Sequence, residues 1–179
     1  MIEVLLPNKE RRGGELQHYN LHYNVALVSV KDFTAPHPAN IQPYRSNHSS
    51  ELVAIGRSFK SGILMAASGQ HCQHTEMPDT LDCKLLRYST CRITKAGIGG
   101  PLVDYNGKFI GMNFCGMDLI HKNLDDNRIW TPFLSSDVIH DVLAYFKTKL
   151  YVRISFCLFK CLSSTVAVET SLILPYSGF

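Results

Sequence analysis

The 179-residue sequence has little of what marks several common classes of protein. No run of five like charges occurs among its 18 basic and 15 acidic residues, so nucleic-acid binding is not expected. Six cysteines are too few for a disulfide scaffold, and we interpret them as free thiols. Charges interrupt the apolar stretches of residues 150–179, so none reaches the roughly 18–20 residues that span a membrane. The first residues read as neither a secretory signal nor a transit peptide, which favours an intracellular or organellar location.

What the sequence does contain is a succession of short apolar segments separated by turn residues. These segments predict strands at 1–6, 25–30, 52–56, 62–67, 84–93, 101–104 and 109–114. Between the last two strands, Asn106-Gly107 is a strong hairpin signal. The polar segments predict a charged turn at 8–14, an irregular connection at 31–50 and a surface loop at 70–82.

One amphipathic segment near the C-terminus predicts a helix. Its apolar residues recur at helical spacing, at positions 138, 139, 142, 143 and 146, and Ser135 or Ser136 is a natural N-cap. Many short strands followed by one helix predict an all-β barrel or sandwich.

One run of residues carries most of the functional information. Residues 96–104 read Ala-Gly-Ile-Gly-Gly-Pro-Leu-Val-Asp. The run Gly-x-Ser-Gly-Gly-Pro-Leu marks the nucleophile loop of trypsin-like serine proteases, and here Ile98 stands where the serine should be. A side chain with no proton to lose and no lone pair cannot attack a carbonyl, so the same run argues against protease chemistry.

Several ordered segments of residues 1–148 resemble the protease domain of HtrA/Deg-like serine proteases, especially the degenerate trypsin-like proteins abundant in plants. The segments that carry the resemblance are 2–7, 23–28, 52–56, 99–104, 110–113 and 131–134. The resemblance implies a trypsin-like double β-barrel with an incomplete first barrel and a C-terminal helix. It divides the protease-like domain, 1–149, into a first-barrel remnant at 1–45, a second barrel at 46–134 and a helix at 135–149. Residues 150–179 form a tail of uncertain structure.

The same resemblance implies that the catalytic machinery is degenerate. Ile98 stands at the serine position, Asn24 at the aspartate position, and the histidine is expected before residue 1. In the family template an asparagine at the aspartate position costs about 10⁴ in turnover, and loss of the serine costs about 10⁶. The oxyanion loop, which offers backbone N–H groups to the developing charge, corresponds to Ala96, Gly97, Ile98, Gly99 and Gly100. Ala96 replaces a usual glycine, while Gly99-Gly100 can be kept for a tight turn beneath packed strands, with Ile98 as an apolar plug.

Other residues are candidate substitutes for the missing chemistry. His18 and His22 lie close to Asn24 and are candidate bases, although surface or partly packed histidines are the simpler interpretation. Cys91 is a candidate nucleophile, although a cysteine on a strand is usually a small buried residue. The cysteines and histidines that resemble zinc ligands, His71, Cys72, His74 and Cys83, fit no standard spacing, so neither a metal nor a cofactor is expected.

Three functions follow from these observations. The leading hypothesis is a catalytically inactive serine protease homologue that binds extended peptides or partner proteins by strand addition. The second is an active serine-type endopeptidase of the HtrA/Deg type. The third is a truncated gene product without independent function, suggested by the abrupt start and the unmatched tail. Unpaired edges of the first barrel predict self-association.

Overall fold

Strands dominate the fold, which was obtained as a computed structural model and is described for residues 2–35, 39–43, 51–72, 85–114 and 131–154. In chain order the strands are β1 (Ile2–Leu5), β2 (Arg11–Asn20), β3 (Val25–Val30), β4 (Glu51–Arg57), β5 (Leu64–Cys72), β6 (Leu86–Ser89), β7 (Pro101–Asp104), β8 (Phe109–Asn113) and β9 (Thr131–Ser135). A single 3-10 turn (Lys95–Gly97) precedes β7, and helix α1 (Ser136–Ile154) follows β9. The prediction of a mostly β protein with one C-terminal helix is confirmed.

The first three strands form an antiparallel sheet in the order β1-β2-β3. The predicted charged turn at 8–14 is wrong at its end, because β2 begins at Arg11 and includes Gly13 and Gly14. Gly14 is needed for packing within the sheet, since an added Cβ would come within 2.6 Å of a Val28 methyl group. The glycine pair therefore lies inside a strand, although its composition is typical of a turn.

The remaining six strands form a closed antiparallel barrel in the order β4-β5-β6-β9-β8-β7. The predicted surface loop at 70–82 is wrong at its start, because β5 continues to Cys72. Pairing beyond the reach of local sequence extends the strand: His71 pairs with Ser89 and Cys72 with Tyr88. The rest of that predicted loop, and residues 36–38 and 44–50 of the predicted connection at 31–50, lie outside the described residues.

The predicted hairpin between β7 and β8 is present, with a wider turn than a two-residue Asn-Gly loop. The Asp104 N–H donates to the Lys108 carbonyl at 3.0 Å, which closes a loop of residues 105–107. Gly107 has a φ of 77° at the position where such three-residue loops need a left-handed residue. The Asp104 carboxylate accepts the N–H groups of Asn106 and Lys108, each at 2.9 Å, and so fixes the turn.

Two clusters of buried side chains form the core. One fills the barrel and consists of Leu52, Ala54, Cys91, Leu102, Ile110 and Phe133. The other joins the three-stranded sheet, the barrel and the helix, and consists of Val25, Leu27, Met112, Leu134, Ile139, Val142 and Phe146. Phe133 and Leu134 are adjacent in β9 but pack in different clusters, because successive side chains of a strand point to opposite faces.

Helix α1 buries the apolar face that its sequence predicts, with Val138 and Leu143 packed at the margin of the buried residues. The predicted end at residue 149 is too early, since α1 continues to Ile154. No glycine or proline occurs in residues 150–154, so nothing in that segment stops a helix. The Ser136 hydroxyl is buried without a hydrogen-bond partner among the described residues, so it does not cap the helix.

Within the described ranges, no helix is both long and apolar enough to cross a membrane.

Two arginines join the three-stranded sheet to the barrel. Arg11 of β2 donates to the Phe59 carbonyl at 2.8 Å, and its guanidinium lies 4.4 Å from the centre of the Phe59 ring. Arg57 at the end of β4 donates in the opposite direction, to the Pro7 carbonyl at 3.4 Å. The turns that follow β1 and β4 are therefore held together by reciprocal contacts.

Candidate functional site

The loop that precedes β7 is closed by its own backbone hydrogen bonds. The Gly97 N–H donates to the Thr94 carbonyl at 2.8 Å, and the Ile98 N–H donates to the Lys95 carbonyl at 3.3 Å. The next two donors are also used, Gly99 to Asn113 at 2.8 Å and Gly100 to Gly97 at 3.0 Å. An oxyanion hole needs N–H groups that point freely at the developing charge. Four consecutive N–H groups, at residues 97–100, instead have backbone acceptors.

The glycines of this loop are required by its close packing against β4. A Cβ on Gly100 would overlap the Ile55 carbonyl oxygen, and a Cβ on Gly56 would overlap the Ala96 carbonyl oxygen. Gly99 has a φ of 73°, which a residue with a side chain adopts only at a cost. The geometry thus gives the glycine run a structural reason that does not involve catalysis.

Ile98 lies in extended conformation at the end of the 3-10 turn, with φ of −67° and ψ of 129°. Its side chain is half-buried and belongs to neither of the two core clusters. The position therefore presents a hydrocarbon side chain, which offers neither a nucleophilic atom nor a hydrogen bond.

Asn24 lies in the turn that leads into β3. Its φ is 50°, a left-handed conformation that asparagine tolerates, and its side chain is exposed. The next residue, Val25, packs in the same cluster as Met112 of β8. This packing connects the start of β3 with the strand whose last residue, Asn113, holds the loop at 97–100.

The four described histidines all lie against neighbours outside this loop. The His18 ring stacks on Phe146 of α1 at 5.5 Å, and its Nε2 is buried without a partner in the described residues. His22 contacts Tyr23, His71 packs edge-on against Phe133, and His140 lies 3.7 Å from the Asp141 carboxylate. Of the two candidate bases, His18 is therefore a packed residue and His22 is an exposed one.

Cys91 is a core residue. It is 0% exposed, its Sγ lies 3.8 Å from the Leu52 carbonyl oxygen, and its own carbonyl accepts the Thr131 hydroxyl at 2.6 Å. Burial raises the pKa of the Cys91 thiol. A buried thiol with a raised pKa is a poor nucleophile.

The raised pKa predicts that alkali destabilises the fold. In the unfolded chain the Cys91 thiol ionises near its usual pKa of about 8.5, whereas in the fold burial raises the pKa of this thiol. Above that pH the unfolded chain binds fewer protons than the folded chain, so the free energy of unfolding falls as pH rises. The expected slope from this thiol is up to about 1.4 kcal/mol per pH unit. Urea titrations between about pH 7 and about pH 10, a range that brackets the usual thiol pKa, measure this slope.

Cys91→Ala is the matched comparison, because it removes the thiol and leaves the other titrating groups in place. Its stability should decline less steeply than that of the unmodified chain above the usual thiol pKa. Parallel declines would show that Cys91 ionises equally easily in both states.

The structure describes two of the four residues that resemble zinc ligands. His71 and Cys72 are consecutive residues of β5, whereas His74 and Cys83 lie outside the described residues. Burial, with a smaller contribution from Arg87, lowers the pKa of His71. In the described part of the chain no group of three or more histidine, cysteine or acidic residues could hold a metal ion.

Asn113 is a site residue that the sequence did not single out. It is 1% exposed, and neither its side-chain oxygen nor its nitrogen has a hydrogen-bond partner among the described residues. Its backbone accepts the Gly99 N–H and donates to the Gly100 carbonyl, which attaches the loop to β8. No local signal distinguishes this asparagine, because its role depends on a strand pairing.

Comparisons with known proteins agree with this architecture. Residues 1–112 match the family described as the trypsin-like peptidase domain. The fold is similar to the apo MamO protease domain from Magnetospirillum magneticum, with a TM-score of 0.59 and 15% identity over 78% of this chain and 72% of that chain. It is also similar to the inactive form of Rv3671c from M. tuberculosis, a serine-to-alanine mutant, with a TM-score of 0.56 and 17% identity over 78% of this chain and 67% of that chain. The comparison with curated proteins gives no match. The similarities to solved structures confirm the expected trypsin-like fold.

Proposed function

Because the chain belongs to the trypsin-like peptidase family, we propose that it is a catalytically inactive member that acts by binding extended peptides or partner proteins. The observation that carries the proposal is the state of the loop at 97–100. Ile98 supplies a hydrocarbon where the family has its nucleophile, and its N–H already donates to Lys95.

The remaining features of the site support the same proposal. An exposed asparagine, Asn24, stands at the aspartate position and cannot stabilise an imidazolium as a carboxylate does. Changes of this kind cost about 10⁴ in turnover at the aspartate and about 10⁶ at the serine, and either alone would abolish useful activity. On this proposal an extended peptide adds as a further strand to the family scaffold, and main-chain hydrogen bonds supply the affinity.

The activity prediction is tested with unfolded casein and a fluorophosphonate probe, which labels activated serines. We expect neither cleavage nor labelling above the background of an Ile98→Ala control. Ile98→Ser should not gain activity, because the hydroxyl would still lack a free oxyanion hole and an oriented base. Cleavage by the unmodified chain that persists in Ile98→Ala would reveal another nucleophile and refute inactivity.

The binding prediction uses the same casein, now fluorescently labelled and followed by anisotropy. We expect saturable binding without cleavage, and weaker binding by Ile98→Lys, which introduces a charge at a half-buried position of the loop at 97–100. Tyr105→Lys adds the same charge at a side chain that is 64% exposed in the β7–β8 loop, so it should bind normally. Absence of binding by the unmodified chain would contradict the peptide-binding role and leave the activity result intact.

The family match also supports the second function, an active serine-type endopeptidase. The two functions differ in one requirement, a side chain that can attack a carbonyl. Turnover of casein together with fluorophosphonate labelling would favour the peptidase.

A further inference from the structure

The first half of β5 has an unpaired edge. Along one side β5 pairs with β4 in continuous register, from Leu64 opposite Arg57 to Gln70 opposite Glu51. Along its other side it pairs with β6 only at His71 and Cys72, with Gln70 also bonded to Thr90. Among the described residues no strand covers the other side of residues 64–68. Within the part of the chain that the structure describes, a row of backbone hydrogen-bonding groups at this edge therefore has no partner strand.

This edge is also apolar and exposed. Leu64 is 62% exposed, Met65 is 38% exposed, Ala66 is exposed, and the preceding Ile63 is 61% exposed. Proteins usually protect an exposed edge with charges, proline or a β-bulge. Residues 61–72 contain no lysine, arginine, aspartate, glutamate or proline, and the register with β4 shows no bulge. An unprotected edge of this kind is typical of a strand that pairs with another chain.

We infer that this edge pairs with the same edge of a second copy of the chain, antiparallel and about a two-fold axis at Ala66. That register places Ala66 opposite Ala66 of the second copy, Met65 opposite Ala67, and Leu64 opposite Ser68. Each large side chain then faces a small one, and no charge meets its own copy. A two-fold interface needs such a self-complementary segment, and this one fulfils the requirement in both size and charge.

The self-association that the sequence predicts uses the edges of the first barrel, whereas this contact lies on β5 of the closed barrel and does not use the edges of β1 and β3. The contact is also separate from the proposed peptide binding, because it does not include the loop at 97–100.

The first test is the molar mass of the full chain by light scattering over a wide range of concentration. We expect the mass to rise from that of a monomer to twice that value. Ala66→Lys puts two like charges directly opposite each other at the axis and should weaken the dimer about tenfold or more. Ala144→Lys makes the same change at an exposed position of α1 and should dimerise normally.

The second test is the register of pairing, which a comparison of cross-linking at two positions reports. Directly opposite residues have Cα atoms about 4.5–5.5 Å apart, within the range of a disulfide. Ala66→Cys should therefore form a cross-linked dimer under mild oxidation, beyond that of the unmodified chain. Ser68→Cys should not, because residue 68 and its copy lie about 14 Å apart in this register. A monomer at every concentration, a dimer unaffected by Ala66→Lys, or equal cross-linking of the two cysteine variants would overturn the inference.

Discussion

Phe133→Ala is expected to lower the free energy of unfolding by about 3–5 kcal/mol. Phe133 is 0% exposed and is the largest side chain of the cluster that fills the barrel. Its strand, β9, pairs with both β6 and β8, so a cavity at this position weakens the packing beneath both pairings. The cost combines the lost burial of the ring with the cavity that remains.

Chemical denaturation followed by tryptophan fluorescence and by circular dichroism measures this loss. Tyr105→Ala is the control, because Tyr105 is 64% exposed and its removal should change stability by about 0.5 kcal/mol or less. Equal effects of the two substitutions would contradict the packing of Phe133 inside the barrel.

Gly100→Ala is expected to be the second most damaging change, with a loss of about 3 kcal/mol or more. The added methyl group would overlap the carbonyl oxygen of Ile55, a backbone atom of β4 that cannot rotate away. The loop at 97–100 or β4 would have to move, which would disturb the bonds that Gly100 makes with Gly97 and Asn113.

Gly13→Ala is the matched control, since a Cβ on Gly13 would meet no atom within 4 Å. Gly13 lies in β2, a position that alanine can occupy. Because alanine restricts the unfolded chain more than glycine does, the free energy of unfolding of Gly13→Ala should stay level or rise by about 0.4–1 kcal/mol. Thermal melting of both variants makes the comparison. A Gly100→Ala protein as stable as Gly13→Ala would show that the loop does not press against β4.

The glycine run illustrates why a family pattern can persist without the family's chemistry. Gly99 provides a left-handed conformation and Gly100 a close backbone approach, and both requirements belong to the fold. An isoleucine instead of a serine at position 98 leaves these requirements unchanged. On the proposal of an inactive protein, packing alone is sufficient to keep the run.

The sequence by itself determined the elements whose residues repeat with a clear period. The apolar run at 25–30 coincides with β3, and the apolar positions predicted for the helix face the core from α1. The hairpin of β7 and β8 was also predicted, because Asn106-Gly107 separates two apolar runs. Local periodicity and turn chemistry are enough in these cases, since each element is specified by residues close together in the chain.

The tertiary structure alone decided where distant segments meet. Gly14 lies inside β2, where Val28 comes too close to leave room for a side chain. Pairing with β6 extends β5 to Cys72, while the first half of β5 has no second partner strand among the described residues. The tertiary structure also decided that the Ile98 N–H is used within the loop and that Asn113 holds the loop from β8. Hydrogen bonds and close approaches between segments far apart in the chain have no periodic signature, so the sequence carries no local signal for them.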